Sequence, residues 1–113
     1  MCRRKIPSNA IIPDEKLTKY LLVSRPWDDK SKYLARAGFQ LDQPETLRNA
    51  IRELSDRQEA TADGFNDHGT FWRVEGDLIG PSGRLPVVLV WLQWAIDDTL
   101  HFVTLKPRKV SAT

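Results

Sequence analysis

The hydrophobic pattern of the chain changes period between residues 60 and 70, and the change divides it into a helical half and a strand half. From Thr70 onward Trp72, Val74, Gly76 and Leu78 alternate with Phe71, Arg73, Glu75 and Asp77, the two-residue repeat of a half-exposed strand. Gly80-Pro81-Ser82-Gly83 reads as the turn that follows it. Pro86 to Ile96 carries apolar residues on both faces, which predicts a long central strand. Asp97-Asp98 reads as a second turn, and Leu100 to Lys106 as a third strand ended by Pro107.

Upstream the repeat is helical. Pro13, followed by the dipole-complementing acids Asp14 and Glu15, predicts a first helix from about Pro13 to Val23, with Leu17, Tyr20 and Leu21 at helical spacing and Pro26 beyond its end. Asp28 or Asp29 caps a second helix, Lys30 to Ala37, which Gly38 ends in a left-handed conformation. Asp42-Gln43-Pro44-Glu45 is an Asp variant of the capping box, and Leu47, Ala50, Ile51 and Leu54 form one apolar stripe on a third helix ending near Ala60. The predicted fold is α+β: two short N-terminal helices and one longer one packed on a C-terminal antiparallel β-meander. Residues 1–113 form a single domain, helical over about 13–60 and a meander over about 69–107.

A chain of 113 residues, 41% hydrophobic and 28% charged, has the composition of one folded domain and not of a disordered segment. No run approaches the roughly 18 apolar residues of a membrane helix, and no apolar region follows Met-Cys-Arg-Arg-Lys as in a secretory signal, so a cytoplasmic protein with no membrane partner is expected. Cys2 is the only cysteine and the two histidines, His68 and His101, are far apart, so neither an internal disulfide nor a metal or other cofactor is expected. The net charge of +2 is unevenly spread: residues 1–36 carry nine basic and four acidic side chains, residues 37–75 four basic and eight acidic. A basic N-terminal third suits an anionic partner such as nucleic acid, and suits equally a solvated helix face.

No glycine-rich phosphate loop, nucleophile elbow or two-histidine metal helix is present, which excludes the hydrolase classes those motifs mark. What remains are polar groups out of keeping with their surroundings. Lys30 and Lys32 open the second helix, where the dipole disfavours cations, so they either pair with Asp28 and Asp29 or hold a phosphate beside the helix N-terminus. Strict alternation puts His101 and Thr104 on opposite faces of the last strand, Thr104 with Leu100, Phe102 and Lys106. His101 is then an acid/base or a satisfied core or edge histidine. Arg73 is a phosphate cation or a rung of an ion-pair ladder with Glu75 and Asp77, and His68 is a loop residue.

Ile6-Pro7, Ala10-Ile11-Ile12-Pro13, Tyr20-Leu21-Leu22, Lys30-Ser31-Lys32 before Ala37-Gly38-Phe39, Gly80-Pro81-Ser82-Gly83-Arg84, Trp91, and Phe102-Val103-Thr104-Leu105-Lys106-Pro107 follow in a recognisable order. The series resembles a bacterial family of small toxin-like domains of unknown function, free-standing or at the C-termini of adhesin-like and contact-dependent-inhibition proteins. It is similar more widely to the barnase/EndoU/colicin/RelE superfamily of metal-independent ribonucleases. Their last strand reads Val-Thr-x-Tyr-Pro or close to it; here Lys106 stands at the tyrosine, a change that bears on activity.

The resemblance implies a ribonuclease toxin of a toxin-antitoxin pair, with RNA as substrate and a small acidic antitoxin or immunity protein as partner. In such an enzyme the RNA 2'-hydroxyl attacks the adjacent phosphodiester while a base takes its proton and cations stabilise the phosphoryl charge. Lys32 matches the basic residue of the N-terminal helices and Thr104 the last-strand hydroxyl that orients a phosphate. The residues themselves add Arg73, Lys30 and Lys106 as cations and His101, or His68, as the acid/base, histidine being the side chain suited to proton transfer near neutrality. The alternative is a non-enzymatic protein-binding module that pairs through its sheet face or edge, with Trp91 to Trp94 as aromatic anchor.

Overall fold

The computed structural model describes residues 3–7, 9–13, 30–40 and 43–107. Their order is β1 (Arg3–Arg4), α1 (Lys30–Ala35), α2 (Pro44–Arg57), β2 (Ala60–Asn66), β3 (Gly69–Gly80), β4 (Gly83–Trp94) and β5 (Leu100–Pro107). The strands form one five-stranded sheet in sequence order, every neighbouring pair antiparallel. The mixed α+β class read from the sequence is therefore found, with a larger sheet. The expected first helix, from about Pro13 to Val23, lies outside the described residues apart from Pro13.

The expected three-strand meander corresponds to β3, β4 and β5, whose alternation is strong. Trp72, Val74 and Leu78 are buried as predicted, and so are Val87, Leu89 and Trp91 on the same face of β4. The Gly80 to Gly83 turn is where the sequence puts it. Helix α2 lies across this face with Leu47, Ala50, Ile51 and Leu54 turned into the core. A Cβ on Gly76 would come within 2.6 Å of the Leu54 side chain, so β3 carries glycine where the helix presses closest.

Two expectations need correction, and a third lies outside the described residues. The segment after α2 is not helix to Ala60; the helix ends at Arg57, and Ala60 begins β2, paired with Arg4 on one side and leading into the β3 pairing on the other. Its Asp, Gly and Asn carry no strand signal, and it is held by the backbone of its long neighbour β3. The second helix stops at Ala35, two residues early, and Gly38 (φ +92°) turns the chain in the left-handed conformation expected of it, with the Phe39 N–H donating to the Leu34 carbonyl at 3.2 Å. Helix α2 is preceded by Gln43 with no side-chain cap, and Asp42, the expected cap, lies outside the described residues.

Helix α1 is pinned at the β3–β4 turn. The Ser82 N–H donates to the Ala37 carbonyl at 2.9 Å, and the Tyr33 hydroxyl donates to the Pro86 carbonyl at 2.6 Å. Burial raises the Tyr33 pKa, and Asp77 adds to that rise while Arg36 opposes it. At the far edge Ile11 bridges β5 in parallel, exchanging backbone hydrogen bonds with Leu100 and Phe102 at 2.8 Å each. No helix among the described residues is long and apolar enough to cross a membrane.

Candidate functional site

One face of the sheet holds the core. The other presents Phe71, Arg73, Glu75 and Asp77 from β3, Val88, Val90, Leu92 and Trp94 from β4, and His101, Thr104 and Lys106 from β5, all half-buried or exposed.

The β5 residues share this face because of a bulge. Leu92 pairs with His101 and Trp91 with Phe102, but Val90 pairs with Thr104, so Val103 is an extra residue that the partner strand does not match. Alternation restarts after it, which corrects the expectation from strict alternation. Thr104 stands on the face of His101 and Lys106, while Leu100, Phe102 and Leu105 all point into the core. Arg73 lies opposite Val90, and Val90 opposite Thr104, in one cross-strand row. With strands about 4.8 Å apart and residues about 3.4 Å apart along them, Arg73 is roughly 10 Å and His101 roughly 7 Å from Thr104 at the backbone. A phosphate over Thr104 is thus within side-chain reach of all three.

The expected cations differ in how they are held. The Arg73 guanidinium lies 3.7 Å from the Asp63 carboxylate and 3.9 Å from that of Glu75, with 40% of its side chain exposed. Such loose, solvated pairs contribute at most about 1 kcal/mol, so an anion can compete for the arginine. The expected ladder with Glu75 and Asp77 is found only in part: Arg73 lies by Glu75 and by Asp63 of β2, while Asp77 lies 3.9 Å from Arg84, and the reading of Arg73 as a phosphate cation is compatible with these loose pairs. Lys106 is exposed. Thr104 Oγ1 donates to the Leu105 carbonyl at 3.3 Å. Lys32 is exposed in α1, a six-residue helix in which it also belongs to the last turn, so the short helix supplies no N-terminal anion site for it. Lys30 opens the same helix, and its side chain lies outside the described ones.

His101 has partners the sequence reading missed. The Asp97 carboxylate accepts from the Thr99 hydroxyl at 2.7 Å and from the Thr99 N–H at 3.1 Å, and Thr99 Oγ1 lies 2.9 Å from His101 Nε2. Because the hydroxyl proton goes to Asp97, Thr99 accepts from Nε2–H; this network assigns the Nε2–H tautomer and leaves Nδ1 as the basic nitrogen. The ring stacks on Trp94, centroids 4.2 Å apart and planes within 17°. A usable signal was the spacing of Asp97, Thr99 and His101, each two residues from the next at the mouth of a hairpin.

The hydrogen bonds from the Thr99 side chain, and after them from its backbone, hold Asp97 below the usual aspartate range. A depressed carboxyl pKa favours the folded turn above the unfolded value of about 3.9, and that contribution is lost as pH falls through the lower folded value. An NMR titration is therefore expected to show the Thr99 amide signal moving with a midpoint below 3.9, and to show no such step in Asp97→Asn.

A family model described as a domain of unknown function (DUF6883) matches residues 5–109. No curated protein and no solved structure matches the chain.

Proposed function

The chain belongs to the DUF6883 family, and from its open sheet face we propose that it binds single-stranded RNA there and cleaves it without a metal ion. The observation that carries this reading is the bulge at Val103, which puts Thr104 beside His101 and in line with Arg73.

In the reaction, Nδ1 of neutral His101 takes the 2'-hydroxyl proton as the 2'-oxygen attacks phosphorus. The bond from phosphorus to the 5'-oxygen breaks, giving a 2',3'-cyclic phosphate and a 5'-hydroxyl whose proton comes from solvent. The imidazolium formed is stabilised by the stacked Trp94 and by Asp97 acting through Thr99. Thr104 orients the phosphate and Arg73 balances its growing charge. Lys106 faces Val88, four residues along β4 from the partner of His101, or about 13–14 Å at the backbone. That is too far to serve as the acid at the same phosphate, so Lys106 holds a neighbouring one. Lys30 and Lys32, on α1, add positive charge to the domain without belonging to this row. A small acidic protein seated on the face would act as the inhibitor of such an enzyme.

A 5'-labelled single-stranded RNA incubated with the purified chain in EDTA is expected to shorten with time to fragments ending in cyclic phosphate. The DNA of the same sequence, lacking the 2'-hydroxyl, stays whole. A Thr104→Ala variant is expected to cleave far more slowly. Intact RNA with folded wild-type protein sinks the enzyme reading. It would favour the protein-binding module, for which the half-exposed Val88, Val90 and Leu92 strip along the middle of the face speaks.

A further inference from the structure

Beyond the phosphate row, the same face ends in a cavity of about 560 Å³ between the β2–β3 and β4–β5 hairpins, lined by Asp67, His68, Leu92, Trp94, Ala95 and Ile96. We propose that this cavity is a subsite for one unpaired nucleobase. The inference rests on the reading of the sheet face as a nucleic-acid surface and adds what part of the ligand sits where.

The cavity is built, not a gap between loose loops. The Ala95 N–H donates to the His68 carbonyl at 2.9 Å and ties the two hairpins together. Asn66 Oδ1 accepts from the His68 and Gly69 N–H groups at 2.8 and 3.2 Å and fixes the β2–β3 turn. At Gly69 a Cβ would fall 1.8 Å from the Gln93 carbonyl oxygen, so the hairpins approach as closely as backbone allows.

Its walls suit a flat aromatic ring with polar edges. Trp94 is 41% exposed, and His101, which covers part of its ring, is not among the cavity residues, so the indole has surface left for a second ring. Ile96 is 87% exposed and, with Leu92, supplies apolar surface that gains by being covered. Asp67 offers acceptors only, the complement of the amino and imino N–H groups on a base edge.

Position decides between a base and any other aromatic group. Along the outer face of β4, Trp94 is followed by Leu92, which pairs with His101, and by Val90, which pairs with Thr104. A base resting on Trp94 therefore has its own sugar within reach of His101, whose partner Leu92 is about 7 Å along the strand, and the chain runs on toward Thr104, about 14 Å away.

Two measurements test this without requiring cleavage. Free adenosine or cytidine, which carries no phosphate, is titrated into the labelled protein; the Trp94 indole and Ala95 amide signals are expected to move. Binding is then measured for a single-stranded DNA oligonucleotide, which the enzyme cannot cut, and for an abasic chain of the same length. Trp94→Ala is expected to weaken the base-bearing chain by at least about tenfold, the scale of one lost base–aromatic stack, and to leave the abasic chain within about twofold. Ile96→Asp, at an exposed position that does not threaten the fold, is expected to act in the same direction. Equal losses on both chains, no loss on either, absence of binding by the wild type, or recognition of an apolar peptide there in place of a nucleoside overturns the subsite. Nucleoside binding with intact RNA would retain the subsite and remove the cleavage reading. Cleavage unaffected by Trp94→Ala would do the reverse.

Discussion

Trp91→Ala is expected to lower the unfolding free energy by about 3–5 kcal/mol, the usual loss when a large buried aromatic is truncated. Trp91 is fully buried in β4 and meets Phe102 of the neighbouring β5 edge to face, ring centroids 5.5 Å apart. Its removal opens a hole on the core face of the sheet that the flanking residues cannot close, because Leu89 and Leu105 are already fully packed. Domains of this size are stable by roughly 5–15 kcal/mol, so the variant sits near the edge of folding. Trp91→Phe provides the contrast. The Trp91 Nε1–H is buried without a hydrogen-bond partner among the described residues, and removing an unsatisfied donor of this kind returns about 1–3 kcal/mol of desolvation cost. That return offsets part of the cost of the lost ring volume, so a loss clearly smaller than that of Trp91→Ala is expected. Urea unfolding followed by circular dichroism measures both. A phenylalanine variant as unstable as the alanine one would mean that the indole N–H does have a partner.

The parts of the fold that the sequence shows are those in which side-chain pattern and burial agree. Strands β3 to β5 could be read because Trp72, Val74 and Leu78, then Leu85, Val87 and Leu89, keep to one face without interruption. Helix α2 could be read from its stripe. Strand β2 could not, since only Ala60 of its seven residues is buried and its pairing is made by backbone, which leaves no trace in side-chain pattern. The two-residue β1, Arg3–Arg4, is held in the same way. The bulge at Val103 is a subtler case. Val103 is as acceptable inside a strand as outside one, so nothing in Phe102-Val103-Thr104 announces that alternation restarts there. That one extra residue decides which face Thr104 occupies, and hence whether it meets His101. The residue types at the candidate site were legible; their convergence was a matter of register, which sequence leaves open. Lys32 is the converse case, singled out by a resemblance and a helix end, yet standing on a helix too short to support the dipole argument.

His101→Ala is expected to slow RNA cleavage by a factor of about 10²–10⁴, the range over which a positioned general base contributes, while affinity for an uncleavable single-stranded DNA changes by less than about threefold. The separation matters because His101 has a structural contact as well, its stack on Trp94. A loss of packing alone would weaken binding at the cavity and would not be repaired by a small base. If the ring acts as the base, added imidazole restores part of the rate in His101→Ala and none in Thr104→Val, which retains the base and lacks the hydroxyl that orients the phosphate. Asp97→Asn leaves the ring in place but removes the carboxylate behind Thr99, and the smaller loss it causes is expected in the cleavage rate and not in affinity. Wild-type rates in His101→Ala would place the base elsewhere, with Thr104 and Arg73 still binding phosphate but the chemistry supplied by a group outside this face.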